Sequence, residues 1–173
     1  RSRLALLTVL LSMLLSMLLG ACANPTIHPS GDETTMASLN ADHFVAHDGV
    51  RVPVKSWLPA DRQPPAVIIA VHGFNDYSTF FAAPGDFLAG RAVATYAFDQ
   101  RGFGATPAAG IWPGVPALIK DLKTVIALVR ARHQSIPLYL FGESMGGAVV
   151  MVTIKKARAE DRKLAVDGII LSA

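Results

Sequence analysis

Hydrophobic residues occur along the chain in several short, uninterrupted runs. Runs of this length are typical of strands that are buried on both faces of a parallel sheet. They predict four such strands, at residues 66–71, 92–98, 137–141 and 168–172. Ahead of them, residues 43–47 and 50–58 flank a turn at Asp48 and Gly49, and the second segment alternates apolar and polar positions. This pattern predicts an opening antiparallel hairpin.

Helical periodicity occupies the intervals between the buried strands. Residues 115–133 place their apolar side chains along one face of a helix, which is the clearest helical pattern in the chain. Two more helices are predicted at residues 78–90, where Ser78 can cap the N-terminus, and at residues 145–158. Because strands and helices alternate, the fold class is α/β, with a mostly parallel sheet and right-handed crossovers.

The N-terminal segment has the pattern of an export signal. Arg1 and Arg3 precede an apolar run at residues 4–19, which is shorter than the about 20 residues that span a bilayer. The run ends at Leu19-Gly20-Ala21-Cys22, which resembles the lipobox of bacterial lipoproteins and implies cleavage and acylation at Cys22. An ordinary secretory signal and an uncleaved anchor are the alternatives. Residue 23 is Ala rather than Asp, which by resemblance to the enterobacterial sorting rule favours the outer membrane, so we expect a location in the cell envelope.

The next residues differ in composition from everything that follows. Residues 22–41 contain proline, glycine, serine and threonine without apolar periodicity, and we interpret them as a tether. Fully extended, such a tether reaches about 60 Å, enough to hold a domain clear of a lipid surface. The predicted organisation is a signal peptide at residues 1–21, a tether at residues 22–41 and a domain at residues 42–173.

Composition and charge narrow the class of protein. Hydrophobic residues make up 51% of the 173 positions and charged residues 17%, which excludes disordered and collagen-like chains. A single cysteine excludes an intrachain disulfide. The formal net charge of +3 approaches neutrality once Arg1 and Arg3 are removed, so we expect no nucleic-acid partner.

Candidate chemistry lies at the turn after the third buried strand. Gly142-Glu143-Ser144-Met145-Gly146 stands between a predicted strand and a predicted helix, which is the setting of a nucleophile elbow. In an elbow, Ser144 takes a strained backbone that projects its hydroxyl above the sheet, and the chain passes too close to residues 142 and 146 for a Cβ atom. Ser144 is therefore the candidate nucleophile, and Gly142 and Gly146 support it.

Two other loops follow buried strands and should meet the elbow at the same sheet edge. The first contains His72, Gly73 and Phe74, and its position suits an oxyanion-hole loop. The N–H groups of Phe74 and Met145 are the candidate oxyanion donors, since Met145 begins a helix whose N–H groups are free.

The remaining polar residues of these loops have two interpretations each. We expect His72 to brace the oxyanion loop, with a role as a substitute base as the alternative. Asp99 and Arg101, which follow the second buried strand, are expected to brace the loops around the site, with contact to substrate as the alternative.

Together these motifs resemble the N-terminal part of α/β-hydrolase-fold serine hydrolases, in the branch of monoacylglycerol lipases and bacterial lysophospholipases. The resemblance covers about residues 42–173 and rests on four segments: residues 72–74, 99–104, 142–147 and 168–173. It implies a three-layer α/β-hydrolase fold and an acyl-enzyme on Ser144. The implied substrates are monoacylglycerols, lysophospholipids or similar esters, bound without a metal or an organic cofactor.

In this family the acid and the histidine of the catalytic triad follow the serine. No histidine follows Ser144, and Asp167 precedes its strand and so points to the wrong edge of the sheet. We therefore expect both residues beyond Ala173, in a longer enzyme of which these residues alone would be nearly inactive. The alternative is a non-catalytic envelope lipoprotein, decayed or adapted to binding, with the same fold.

Overall fold

The computed structural model describes Ser12 and residues 26–60 and 62–173. The predicted lipobox and Cys22 lie outside the described residues, as does most of the predicted signal peptide. Within the described ranges, no helix is long and apolar enough to cross a bilayer.

Seven strands in the described residues form one mixed sheet. They are β1 (Ser38–Leu39), β2 (His43–Val45), β3 (Arg51–Trp57), β4 (Val67–Val71), β5 (Ala94–Phe98), β6 (Leu138–Glu143) and β7 (Gly168–Ser172). Their spatial order is β1-β2-β3-β5-β4-β6-β7. The pairs β1–β2, β2–β3 and β3–β5 are antiparallel. The pairs β5–β4, β4–β6 and β6–β7 are parallel. The four parallel strands and the opening hairpin predicted from the sequence are confirmed. The prediction that the fourth strand is buried is wrong, because β7 lies at the edge of the sheet and its Ile169, Ile170 and Leu171 side chains are exposed.

Between these strands, residues 26–60 and 62–173 contain three α-helices: α1 (Ala82–Ala89), α2 (Val115–Arg132) and α3 (Met145–Ala159). The prediction of one helix over residues 78–90 with Ser78 as its cap is wrong, because a 3₁₀ turn at Ser78–Phe81 precedes α1. The Ser78 side chain caps nothing, and the Ser78 N–H instead donates to Asp99 Oδ1 at 2.8 Å. The Asp99 carboxylate, which is distant in sequence, therefore accepts a hydrogen bond from a backbone N–H at the start of the 3₁₀ turn, where a local capping side chain was expected.

The helices cover both faces of the sheet, which gives the predicted three layers. Residues of β4 alternate between two hydrophobic clusters: Val67, Ile69 and Val71 join the larger one with α2 and α3. Ala70 faces the other side, where it packs with Phe81 of the 3₁₀ turn. The central strand β4 is therefore packed on both of its faces.

The segment predicted to be a tether differs from that expectation in its described part. Ile27 forms a β-bridge with Trp112, and the Gly31 N–H donates to Asp48 Oδ2 at 3.0 Å. Further along, β1 adds a short edge strand to β2. These contacts are mostly backbone hydrogen bonds, which leave no hydrophobic periodicity in the sequence. From residue 27 onwards the segment lies along the domain.

Arg101 connects three parts of the chain in one buried ion cluster. Its guanidinium donates two hydrogen bonds to Asp121 of α2, at 2.7 and 2.9 Å. It donates two more to Asp48 in the turn between β2 and β3, at 2.7 and 3.0 Å. Burial raises the pKa of Asp121, whereas for Asp48 the bonds and charge of Arg101 outweigh burial and hold the pKa below its ordinary value. These contacts are those of a residue that braces the loop after β5.

Removing the guanidinium should leave two buried carboxylates without a partner. We predict that Arg101→Met lowers the free energy of unfolding by about 3–5 kcal/mol, because an unpaired buried charge is strongly unfavourable. Lys123→Met is the matched control, since Lys123 pairs with Glu160 near the surface at 2.8 Å and such pairs contribute about 1 kcal/mol or less. Urea unfolding of the two variants measures both values. Equal costs would contradict the structural role assigned to the cluster.

Candidate active site

Ser144 occupies a sharp turn between β6 and α3. Its backbone has φ 46° and ψ −115°, a conformation that costs a residue other than glycine about 1–3 kcal/mol. The Ser144 N–H donates to the Ser172 carbonyl of β7 at 2.8 Å, which helps to hold the turn. The residue itself is exposed at the end of the sheet. A strained, exposed serine at a strand-to-helix turn is the geometry of a nucleophile elbow.

Two glycines allow the chain to fold this tightly. A Cβ atom on Gly146 would overlap the Val71 carbonyl oxygen and would lie 2.6 Å from the Val71 carbonyl carbon. On Gly142 it would lie 2.6 Å from the Cα of Gly147. Real Cβ atoms do not approach backbone so closely, so both positions require glycine. Gly147 differs, since its nearest neighbour would be the Gly142 oxygen at 3.4 Å, which is an ordinary contact.

The loop after β4 lies directly against the elbow. A Cβ atom on Gly73 would collide with the Glu143 carboxylate and would lie 3.4 Å from the Cβ of Ser144. Phe74 follows, with its ring exposed and in edge-to-face contact with Phe103 at 5.5 Å. The N–H of Phe74 is thus carried by a loop beside Ser144, and the N–H of Met145 stands at the start of α3. This arrangement suits a pair of oxyanion donors.

His72 is completely buried and uses both ring nitrogens. Nδ1 lies 2.7 Å from the Gly73 carbonyl oxygen, and Nε2 accepts a hydrogen bond from the Gln100 N–H at 2.8 Å. The ring is therefore neutral with its proton on Nδ1, and burial lowers its pKa. Neither nitrogen is available to deprotonate Ser144. His72 instead ties the loop after β4 to the loop after β5.

Asp99 makes a second tie between the same loops. In addition to the Ser78 N–H, its carboxylate accepts a hydrogen bond from the Ala105 N–H at 2.9 Å. The side chain is almost fully buried, so these bonds replace its lost hydration. In the structure Asp99 thus links β5 to the 3₁₀ turn before α1.

Sequence reasoning missed Gln100, Asp48 and Asp121. Gln100 bonds His72 twice, since its backbone N–H reaches the ring and its side-chain amide donates to the His72 carbonyl at 2.7 Å. Asp121 had a visible signal, because it is an acid on the buried part of an apolar helix face. Asp48 had none, since its partner Arg101 is 53 residues away and the residue also fits a simple turn.

The other hydrogen-bonded histidines and Asp167 lie away from the elbow. His43 bonds Asp42 at 2.6 Å in the hairpin, His47 bonds the Thr35 carbonyl oxygen at 3.3 Å, and His133 bonds the Tyr96 hydroxyl at 2.9 Å at the end of α2. Asp167 bonds the Leu138 N–H and Arg130, which places it at the starting end of β6. None of these described side chains is hydrogen-bonded to Ser144. The described residues thus place an exposed serine on a strained turn beside the loop after β4.

The strand order and the strained turn at Ser144 are those of an α/β-hydrolase fold. The hydrolase family described as serine aminopeptidase, S33, matches residues 62–173, and the chain belongs to this family. The fold is shared with a lipase in its open form (TM-score 0.63, 22% identity, covering 76% of this chain and 43% of that one). It is also shared with a soluble variant of monoglyceride lipase from Saccharomyces cerevisiae bound to a substrate analogue (TM-score 0.59, 23% identity, 84% and 47%).

Two relatives found by sequence similarity are also named as monoacylglycerol or monoglyceride lipases. The monoacylglycerol lipase of Mycolicibacterium smegmatis is 25% identical over 117 residues, which cover 66% of this chain and 41% of that protein. The monoglyceride lipase of Saccharomyces cerevisiae is 28% identical over 132 residues, covering 72% and 41%. The chain thus spans about two fifths of the length of these relatives.

The close approach at Gly146 has a measurable consequence. We predict that Gly146→Ala prevents the elbow from forming and lowers the free energy of unfolding by several kcal/mol, because its Cβ meets rigid backbone. Gly147→Ala is the matched control in the same helical turn, where the space is adequate and alanine favours the helix by about 1 kcal/mol. Chemical denaturation of both variants compares them. Similar losses at the two positions would contradict the steric account.

Proposed function

We propose that the chain is the nucleophile-bearing part of a lipid-anchored serine carboxylester hydrolase. The observation that carries this proposal is Ser144, exposed on a strained elbow at the start of α3 and beside the loop of Phe74. The chain's family and the names of its relatives support hydrolysis of monoglyceride-type esters. Monoacylglycerols, lysophospholipids or similar esters are the substrate class that we assign.

In the proposed mechanism, Ser144 Oγ attacks the ester carbonyl carbon while a base takes the hydroxyl proton. The carbonyl oxygen becomes an oxyanion, which the N–H groups of Phe74 and Met145 stabilise by hydrogen bonds. The tetrahedral intermediate collapses, the alcohol leaves with a proton, and the acyl group remains on Ser144. Water then repeats the attack and releases the fatty acid. Both ring nitrogens of His72 are engaged in hydrogen bonds, so the base that we propose is a different residue.

Apolar side chains around the site favour an acyl substrate. Phe74, Tyr77 and Phe80 are all about half exposed or more, and they flank the loop that would hold the oxyanion. Exposed aromatic side chains beside a nucleophile offer contact area to an alkyl chain. A lipid anchor at Cys22 would keep such an enzyme at the surface where amphiphilic esters collect. The envelope, and the outer membrane in particular, is the location that we propose.

A fluorophosphonate probe tests the nucleophile. We predict that the full-length protein is labelled on Ser144 and that Ser144→Ala abolishes labelling, because an activated serine reacts with the phosphorus centre whereas ordinary serines do not. Ser135→Ala is the control, since Ser135 is an exposed serine outside the elbow. Mass spectrometry of the labelled peptide identifies the site. A folded full-length protein that stays unlabelled would favour the non-catalytic lipoprotein instead.

Fatty-acid labelling in bacteria tests the anchor. We predict that the protein incorporates labelled palmitate and that Cys22→Ala abolishes incorporation, since Cys22 is the only cysteine in the chain. Fractionation of the envelope should find the parent protein in the outer-membrane fraction and the Cys22→Ala variant outside it. Incorporation that persists in the variant, or none in the parent protein, would contradict the lipobox and favour an ordinary secretory signal.

A further inference from the structure

The N-terminal segment joins the domain close to the candidate active site. Ile27 bridges Trp112, and the His28 N–H donates to the Trp112 carbonyl at 2.9 Å. The Ile27 side chain also reaches Gly114, the residue before α2, where a Cβ would lie 3.4 Å from Ile27 Cγ2. Contacts at Trp112 and Gly114 fix the place where the segment meets the domain.

A row of aromatic rings leads from this junction to the oxyanion loop. Trp112 contacts Phe103 edge-to-face at 6.4 Å, and Phe103 contacts Phe74 at 5.5 Å. The three rings line one depression of about 300 Å³, together with Asp76 and Ile111 and several backbone segments. The junction and the candidate site therefore belong to one continuous surface.

This surface is apolar and open. Ile27 is 52% exposed, Phe74 64% and Ile111 38%, and Asp76 is the one charged residue that lines the depression. We call Ile27, Phe74, Ile111 and Trp112 the anchor-side face. Exposed apolar residues that adjoin one another are typical of a surface that binds an apolar partner. Because the face carries no cation, its partner is recognised by apolar burial rather than by charge.

Chain length then limits where this face can lie. Cys22 and Ile27 are five residues apart, so their Cα atoms are separated by at most about 18 Å. That distance is about half the thickness of a bilayer with its headgroups. A lipid on Cys22 therefore holds Ile27, and with it the anchor-side face, near the membrane surface.

We propose that the anchor-side face docks on the lipid bilayer, so that the candidate site opens toward esters embedded in that membrane. This proposal rests on the proposed function for the anchor at Cys22 and for the nucleophile. Phe74 would then contribute its N–H to the site and its ring to the lipid surface. The short segment between Cys22 and Ile27 keeps the anchor-side face turned toward the bilayer, because it limits how far Ile27 can move from the lipid on Cys22.

Lengthening that segment separates orientation from anchoring. Inserting 20 Gly/Ser residues between Asn24 and Pro25 of the full-length lipidated enzyme should lower hydrolysis of a long-chain monoacylglycerol in phosphatidylethanolamine/phosphatidylglycerol vesicles by roughly tenfold, since effective concentration falls steeply with linker length. Hydrolysis of a water-soluble short-chain ester should be unchanged. The same insertion between Glu160 and Asp161, in the turn after α3, is the control and should alter neither rate.

A point variant tests the face itself. Ile27→Asp should lower vesicle hydrolysis several-fold, because a charge is placed where apolar contact is needed, and should leave the soluble ester unaffected. Leu58→Asp is the matched control. Leu58 is similarly exposed at 48%, but it follows Trp57, which pairs with Thr95 at the opposite end of the sheet. Raising the salt concentration should not change the Ile27 effect, since the face is uncharged apart from Asp76.

The outcomes separate the possible failures. Equal vesicle rates for the parent, the linker variant and Ile27→Asp would overturn the docking proposal. An effect of Ile27→Asp without an effect of the linker would overturn it too, and would indicate that the depression holds an acyl chain.

If the parent cleaves neither ester, the proposed function fails and a binding measurement decides the docking proposal. Within the 173 residues given, Trp57→Phe leaves Trp112 as the one tryptophan, and any tryptophan elsewhere in the protein is replaced by Phe as well. Vesicles with brominated acyl chains should then quench the fluorescence of Trp112. No quenching in a vesicle-bound protein would overturn the docking.

Discussion

The steric contact between Gly146 and the backbone of Val71 is the constraint on which the site depends. The first turn of α3 passes so close to the end of β4 that no side chain fits between them. This contact brings the elbow beside the loop after β4, and hence Ser144 beside Gly73. The strain at Ser144 is acceptable because the parallel pairs β4–β6 and β6–β7 hold the chain on both sides of the turn.

Hydrogen bonds from buried polar side chains then stiffen the loops around this contact. His72, Gln100 and Asp99 connect the ends of β4 and β5, and each has little access to water. Bonds made in such surroundings are stronger than bonds at the surface, and an unpaired group there is costly. The site thus has loops that are held before substrate arrives, which favours stabilisation of an oxyanion without reorganisation.

The sequence allowed much of this arrangement to be predicted, because the relevant signals are local. Continuous apolar runs gave the parallel strands, and a serine between glycines after such a run gave the elbow. The helix at residues 78–90 was only partly right, since Asp99 binds the Ser78 N–H from 21 residues away. The cluster of Arg101, Asp48 and Asp121 could not be predicted, because pairing between distant charged residues leaves no periodic pattern. The segment after residue 26 was misjudged for a similar reason, as its contacts are made by backbone groups.

The hydrogen bond from Gly31 to Asp48 connects the N-terminal segment to the buried ion cluster. Asp48 accepts that N–H with the same carboxylate oxygen that binds Arg101, and Arg101 in turn binds Asp121 on α2. A displacement of the segment at Gly31 would therefore reach α2 through buried ionic contacts. The turn at Ser144 is held by a different contact, the hydrogen bond from its N–H to the Ser172 carbonyl of β7, so the ion cluster and the elbow are fixed independently.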